Sequence, residues 1–160
     1  MRWFLADVPE ELRPPGSARR RTDRYHVASL SAHAALKWRG APQRLEHKER
    51  VGRVELASWC GVPGFAERWA KQRVPRRRAP GDAGWLAVTK EVWIVAGIEV
   101  ARVAIDGDVA WTYCVDLDVA HEPTRAAFAP WRRLLAGAEP TSYAGFLVGR
   151  EQRVGERLAS

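Results

Sequence analysis

Between Asp23 and Lys48 the chain sets charged side chains at alternate positions. It reads Asp23-Arg24-Tyr25-His26-Val27, then Ala35-Leu36-Lys37-Trp38-Arg39, then Arg44-Leu45-Glu46-His47-Lys48. Successive side chains of an extended strand point to opposite faces, so Lys37 and Arg39 share one face, and Arg44, Glu46 and Lys48 share one face of the next strand. Leu36 and Trp38 fall on the other side. With that apolar side against the body of the protein, the charged side is an ordinary solvated sheet face. With the sheet curled the other way, the same alternation lines a polar interior whose cations aim at an anion.

A second group of chemically capable residues comes late. Asp106-Gly107 reads as a hairpin turn whose glycine tolerates positive φ, joining Glu99–Ile105 to Ala110–Asp118. On the second arm Trp111, Tyr113, Val115 and Leu117 point one way; Thr112, Cys114, Asp116 and Asp118 point the other, so two carboxylates share the small, polar side. Lys90 lies on the face shared with Leu86 and Val88. Cys60 and Cys114 are far apart with no second ligand at metal spacing, which reads as two reduced thiols and not a zinc site. None of the four histidines has ligand partners at a spacing that demands a metal.

The elements that must position these groups follow from composition and pattern. With 160 residues and 46% hydrophobic side chains, the chain is most simply one domain, residues 1–160. A net charge of +7 favours acidic partners. Arginine supplies 22 of the 26 basic residues; its planar fork suits phosphate, although a genome's nucleotide composition produces the same bias. The longest apolar run, Val92 to Ile98, is too short to span a bilayer, and the N-terminus lacks a charged-then-apolar secretion pattern, so the expectation is a cytoplasmic protein with no membrane partner.

Arg2 to Ala6 reads as a strand, Pro9 to Leu12 as one helical turn, and Pro14-Pro15-Gly16-Ser17 as a break, with Arg19 to Arg21 at a loop exit. Val51 to Trp59 either continues the strand of Lys48 or begins another. Pro63 to Arg73 has the composition of an amphipathic helix with Phe65 and Trp69 on its stripe, stopped by Pro75 and followed by an exposed connection, Arg76 to Gly81. Trp85–Val95 and Gly97–Ile105 are rich in Val, Ile and Trp, as strands are. Pro123 to Leu135 predicts a helix that buries Phe128, Trp131, Leu134 and Leu135 and ends at Gly137. Thr141 or Ser142 caps a last helix carrying Tyr143, Phe146 and Leu147. The fold class is α+β, an antiparallel sheet with a few flanking helices.

The order of these fragments resembles the CYTH superfamily, which includes the triphosphate tunnel metalloenzymes. Asp23-Arg24-Tyr25 looks like that family's early Asp-x-Tyr strand, Leu36-Lys37-Trp38-Arg39 like its Leu-Arg-x-Arg strand, and Leu45-Glu46-His47-Lys48 like its lysine-bearing strand. Val115-Asp116-Leu117-Asp118 is similar to its late paired-acid strand, and Thr141 to Leu147 to its closing Ser-Tyr segment. The resemblance implies an antiparallel β-barrel or tunnel that binds a phosphorylated small molecule or polyphosphate. Lys37, Arg39, Lys48, Lys90 and Arg102 would grip phosphate, and Asp116 with Asp118 would hold magnesium or manganese for phosphohydrolysis, with Glu46 and Glu99 as accessory acids. The family's first strand carries Glu-x-Glu-x-Lys, whereas this chain opens Met1-Arg2-Trp3-Phe4-Leu5; the alignment puts Trp3 on the lysine and leaves no acid. Two alternatives stand beside the hydrolase. One is a non-catalytic barrel that binds a polyanion, or nucleic acid through Arg19 to Arg21 and Arg76 to Arg78. The other is a tunnel recruited for an unrelated organic substrate between walls of Trp3 and Tyr25.

Overall fold

The computed structural model describes residues 1–40, 43–75, 81–117 and 122–159. Its strands are β1 (Arg2–Leu5), β2 (Arg19–His26), β3 (Ala34–Arg39), β4 (Arg44–Trp59), β5 (Val62–Val74), β6 (Trp85–Val95), β7 (Ile98–Ile105), β8 (Asp108–Val115) and β9 (Glu139–Pro140). They form one sheet in the order β5-β4-β3-β2-β6-β7-β8-β1-β9, with every neighbouring pair antiparallel. The sheet curls strongly, into a half-barrel. Curling brings elements from opposite parts of the sheet together: the indole N–H of Trp3 on β1 donates to the Pro63 carbonyl on β5 at 3.0 Å.

Three tight turns make the long hairpins. Cys60-Gly61, Ala96-Gly97 and Asp106-Gly107 each hold two consecutive residues at positive φ, between 46° and 88°. Two such residues give the turn whose twist matches that of paired strands. Asp106-Gly107 is legible in the sequence; Cys60-Gly61 is not, and it corrects the expectation of a helix over Pro63–Arg73. That segment is β5, paired along its length with β4. Phe65 and Trp69 are four apart, and four residues return to the same side of a strand as well as of a helix. The turn, not the stripe, decides the element. β4 runs on from Lys48 to Trp59 as a single strand with a register shift between Val51 and Glu55. Arg19 to Arg21 belong to β2, where they pair with Val92, Glu91 and Lys90, and are not a loop end.

The two faces of the sheet carry separate apolar cores. One gathers Trp3, Trp59, Val62, Val100, Trp111, Tyr113, Phe128, Trp131 and Leu135, under helices α1 (Glu122–Phe128) and α2 (Arg132–Ala136). The sequence suggests one helix there; a 3-10 turn, Ala129–Trp131, divides it at Pro130, which lacks the N–H that a continuous helix needs. The other core holds Tyr25, Val88, Ala101, Val103 and Leu147 and is covered by α3 (Tyr143–Ala159). Gly145 N–H donates to the Ser142 hydroxyl at 2.9 Å, the expected cap, and Phe146 stacks on Phe4 at 3.9 Å between ring centres. No helix among the described residues is long and apolar enough to cross a membrane. Both cysteines are free.

Candidate anion-binding site

Strand alternation and register build the site. On β2, Arg21, Asp23 and Tyr25 point to the α3 side; Asp23 lies opposite Arg39, Tyr25 opposite Lys37, and Arg21 opposite Lys90. Lys37 lies opposite Glu46 on β4, two residues from Lys48. Directly opposed residues share a face, so these side chains converge. This face is the inner one. Tyr143 of α3 stacks on Tyr25 of β2 at 5.7 Å and has the Arg2 guanidinium of β1 at 5.5 Å from its ring, although three strands separate β2 from β1 in the sheet order.

Asp23 is the hub. It is 1% exposed, and one carboxylate oxygen has Lys90 at 3.6 Å, Arg21 at 3.7 Å and Lys37 at 4.0 Å. Neither oxygen has a hydrogen-bond partner among the described residues. Glu46 is held by Arg39 at 2.6 Å, by Lys37 at 3.6 Å and by Arg44. Burial works against its ionisation, but the Arg39 hydrogen bond and the three cations hold its carboxyl down at about 2. Glu99 is engaged by Arg2 at 2.9 Å, whose other nitrogen donates to the Thr112 hydroxyl at 2.8 Å; despite burial, Arg2 keeps that carboxyl at about 2 as well.

The lysines are under opposite pressure. Burial pushes Lys37 down to about 7, against the pull of Asp23, and pushes Lys48 down to about 8, helped by Arg2. Lys90 is driven well below the ordinary lysine range, again by burial. Its ammonium donates to the Tyr25 hydroxyl at 3.1 Å and sits 3.5 Å over the ring of Tyr143, which stacks on Tyr25. Lys48 has the Trp69 ring at 5.2 Å, and among the described residues no carboxylate lies within ion-pair distance of it.

Among the described residues Arg2, Arg21, Lys37, Arg39, Arg44, Lys48 and Lys90 face the inner side with Asp23, Glu46 and Glu99, and the register of β4 with β5 adds Lys71, Arg73 and the Arg50–Glu67 pair, so basic side chains outnumber carboxylates. Such an excess is chemically suited to accepting a further anion.

Of the residues singled out in the sequence, Lys37, Arg39, Lys48, Lys90, Tyr25, Glu46 and Glu99 come together here. Arg102 does not. It stands between Ala101 and Val103, both packed in the core of the inner face, and so projects from the other side, where it meets Glu91 at 3.2 Å. Trp3 is likewise not a cavity wall: it is fully buried in the core under α1 and α2, 6.1 Å from Phe128 between ring centres. Its neighbours Arg2 and Phe4 face inward instead. β8 ends at Val115, leaving Asp116 just past the strand and exposed; Asp118 lies outside the described residues, as do Arg76 to Arg78. Among the described residues no three His, Cys, Asp or Glu gather into a group able to hold a metal ion. The inner acids are separated by cations, with Lys37 between Asp23 and Glu46, so that donor set does not fit magnesium or manganese. Sequence reasoning missed Arg2, Arg21 and Tyr143 as site residues and Asp23 as its centre. For Arg2 the signal was present, since strand alternation opposes it to buried Trp3.

Fold and site together define a curled antiparallel half-barrel with a basic inner face closed over by a C-terminal helix. No family model matches the chain, and neither the curated proteins nor the solved structures contain a significant match to it.

Proposed function

We propose that the inner face binds a phosphorylated anion, of triphosphate or polyphosphate type, in a basic β-tunnel of CYTH-like character. The observation that carries this reading is the cation excess on that face, with Lys48 held half-buried away from any described carboxylate. Leaving a desolvated ammonium without a counter-charge is costly, and a bound anion offsets that cost. Arg2, Arg21, Arg39 and Lys48 retain some exposure and would touch phosphate oxygens, while the buried Lys37 and Lys90 supply field from behind. Binding needs no metal here. Phosphohydrolysis with magnesium or manganese would need carboxylates beyond those of the inner face.

Calorimetric titration with phosphate, diphosphate, triphosphate and polyphosphate tests this. Affinity should rise with the number of phosphates and fall with salt. Lys48→Ala should weaken triphosphate binding about tenfold or more, as expected for a charge-assisted contact, and Arg102→Ala should leave it unchanged. No binding of any phosphate by folded protein, or equal effects of the two substitutions, would defeat the proposal. Phosphate release with and without manganese separates a hydrolase from a binding protein. A preference for oligonucleotides over triphosphate would favour the nucleic-acid alternative.

A further inference from the structure

The last strand of the sheet, β5, pairs with β4 alone among the described residues. Its Pro63 carbonyl accepts the indole of Trp3. Beyond that point, from Phe65 to Val74, no backbone hydrogen bond reaches its outer edge among the described residues. Ten residues of strand span about 33 Å. A run of that length is a ready template for another strand. The register shift in the hairpin falls on the β4 side, between Val51 and Glu55, while β5 remains one strand from Val62 to Val74.

The side chains say which strand would fit. Arg68, Lys71 and Arg73 are exposed along this edge. Its one carboxylate, Glu67, is already engaged by Arg50 at 3.4 Å and by the Trp69 indole at 3.2 Å. Two copies paired edge to edge would bring three uncompensated cations from each chain together, so the edge disfavours a second copy. Alternation sets Lys71 and Arg73 on one face and Arg68 on the other, so carboxylates on either side of an added strand would meet a cation. Toward the Pro63 end, Phe65 and its cross-strand partner Leu56 are 41% and 78% exposed, an apolar pair beside the charged run.

We propose that the open edge of β5 accepts an extended acidic peptide by strand addition, with main-chain hydrogen bonds to Phe65–Val74, carboxylates on Arg68, Lys71 and Arg73, and an apolar residue against Phe65 and Leu56. Lys71 and Arg73 lie opposite Lys48 and Glu46, so this edge adjoins the inner anion site; the main-chain hydrogen bonds to an added strand are what distinguish the two.

The test is fluorescence anisotropy with a labelled decapeptide that carries glutamates on both faces of its strand and valines at one end. Three comparisons accompany it: the same peptide N-methylated at alternate residues, its lysine-for-glutamate counterpart, and the Arg68→Glu/Lys71→Glu double variant, checked for fold by circular dichroism. The acidic peptide should bind at low salt, N-methylation and the double variant should each weaken it about tenfold or more, and the lysine peptide should not bind. Equal binding of the N-methylated peptide would mean charge attraction without strand pairing. That result, or no binding to the folded protein, overturns the proposal.

Discussion

Replacing Lys37 with methionine should make the protein more stable and less able to bind an anion. Lys37 is 4% exposed, and its pKa falls from the ordinary 10.5 to about 7, chiefly through burial. The unfolded chain takes up this proton as pH drops below about 10.5; the folded chain takes it up only near 7. Stability therefore falls as pH is lowered across that window and is recovered as pH rises toward 10. Every tenfold weakening of proton affinity on folding corresponds to about 1.4 kcal/mol, so the full penalty below pH 7 is about 5 kcal/mol. Structural relaxation and water penetration reduce such figures, and replacement of buried ions by apolar groups is typically neutral to a few kcal/mol stabilising; we expect a gain of about 2 kcal/mol at pH 7. Methionine matches the stem of lysine, and no acid is stranded: Asp23 keeps Lys90 and Arg21, and Glu46 keeps Arg39 and Arg44. Urea unfolding at pH 7 and pH 10 checks this. The Lys37→Met chain should be the more stable at pH 7 and close to the parent at pH 10, while its triphosphate affinity falls. A variant less stable than the parent at pH 7, or a difference that does not shrink with pH, refutes the reasoning.

Trp131, buried against Tyr113 with ring centres 4.8 Å apart, should cost about 3 kcal/mol or more on replacement by alanine; a loss below about 1 kcal/mol in urea titration would mean that the 3-10 turn between α1 and α2 does not anchor the outer core. At Gly64 an added Cβ would meet the Met1 methyl at 2.6 Å and the Trp3 ring at 3.0 Å. Gly64→Ala should therefore destabilise by about 1–3 kcal/mol, as overpacking does, with a matching drop in melting temperature; an unchanged melting temperature would show that β5 is free to move off β1.

The strand character of Lys37, Arg39, Glu46 and Lys48 and the turn at Asp106-Gly107 were legible because alternation and glycine's tolerance of positive φ are local properties. The fate of Arg102 was not, because a charged residue amid Val100, Ala101 and Val103 carries no mark of which face is inner. The helix expected over Pro63–Arg73 failed for a related reason: residues four apart coincide in both periodicities, and the element was settled by the Cys60-Gly61 turn and by pairing with β4. Pro130 shows the reverse case, a local rule strong enough to break a helix that the apolar spacing alone would have continued.

What the sequence determined by itself was a supply of cations at alternate positions and the strands to carry them, since side-chain direction within a strand depends only on neighbours in the chain. The sense in which the sheet curls depends on which of its two apolar faces is covered by which helices, a matter of contacts between residues distant in sequence. Pairing between strands distant in the chain set Asp23 among Lys37, Lys90 and Arg21, and the choice of curl turned Arg2 inward and Trp3 outward and left Lys48 with no described carboxylate as counter-charge.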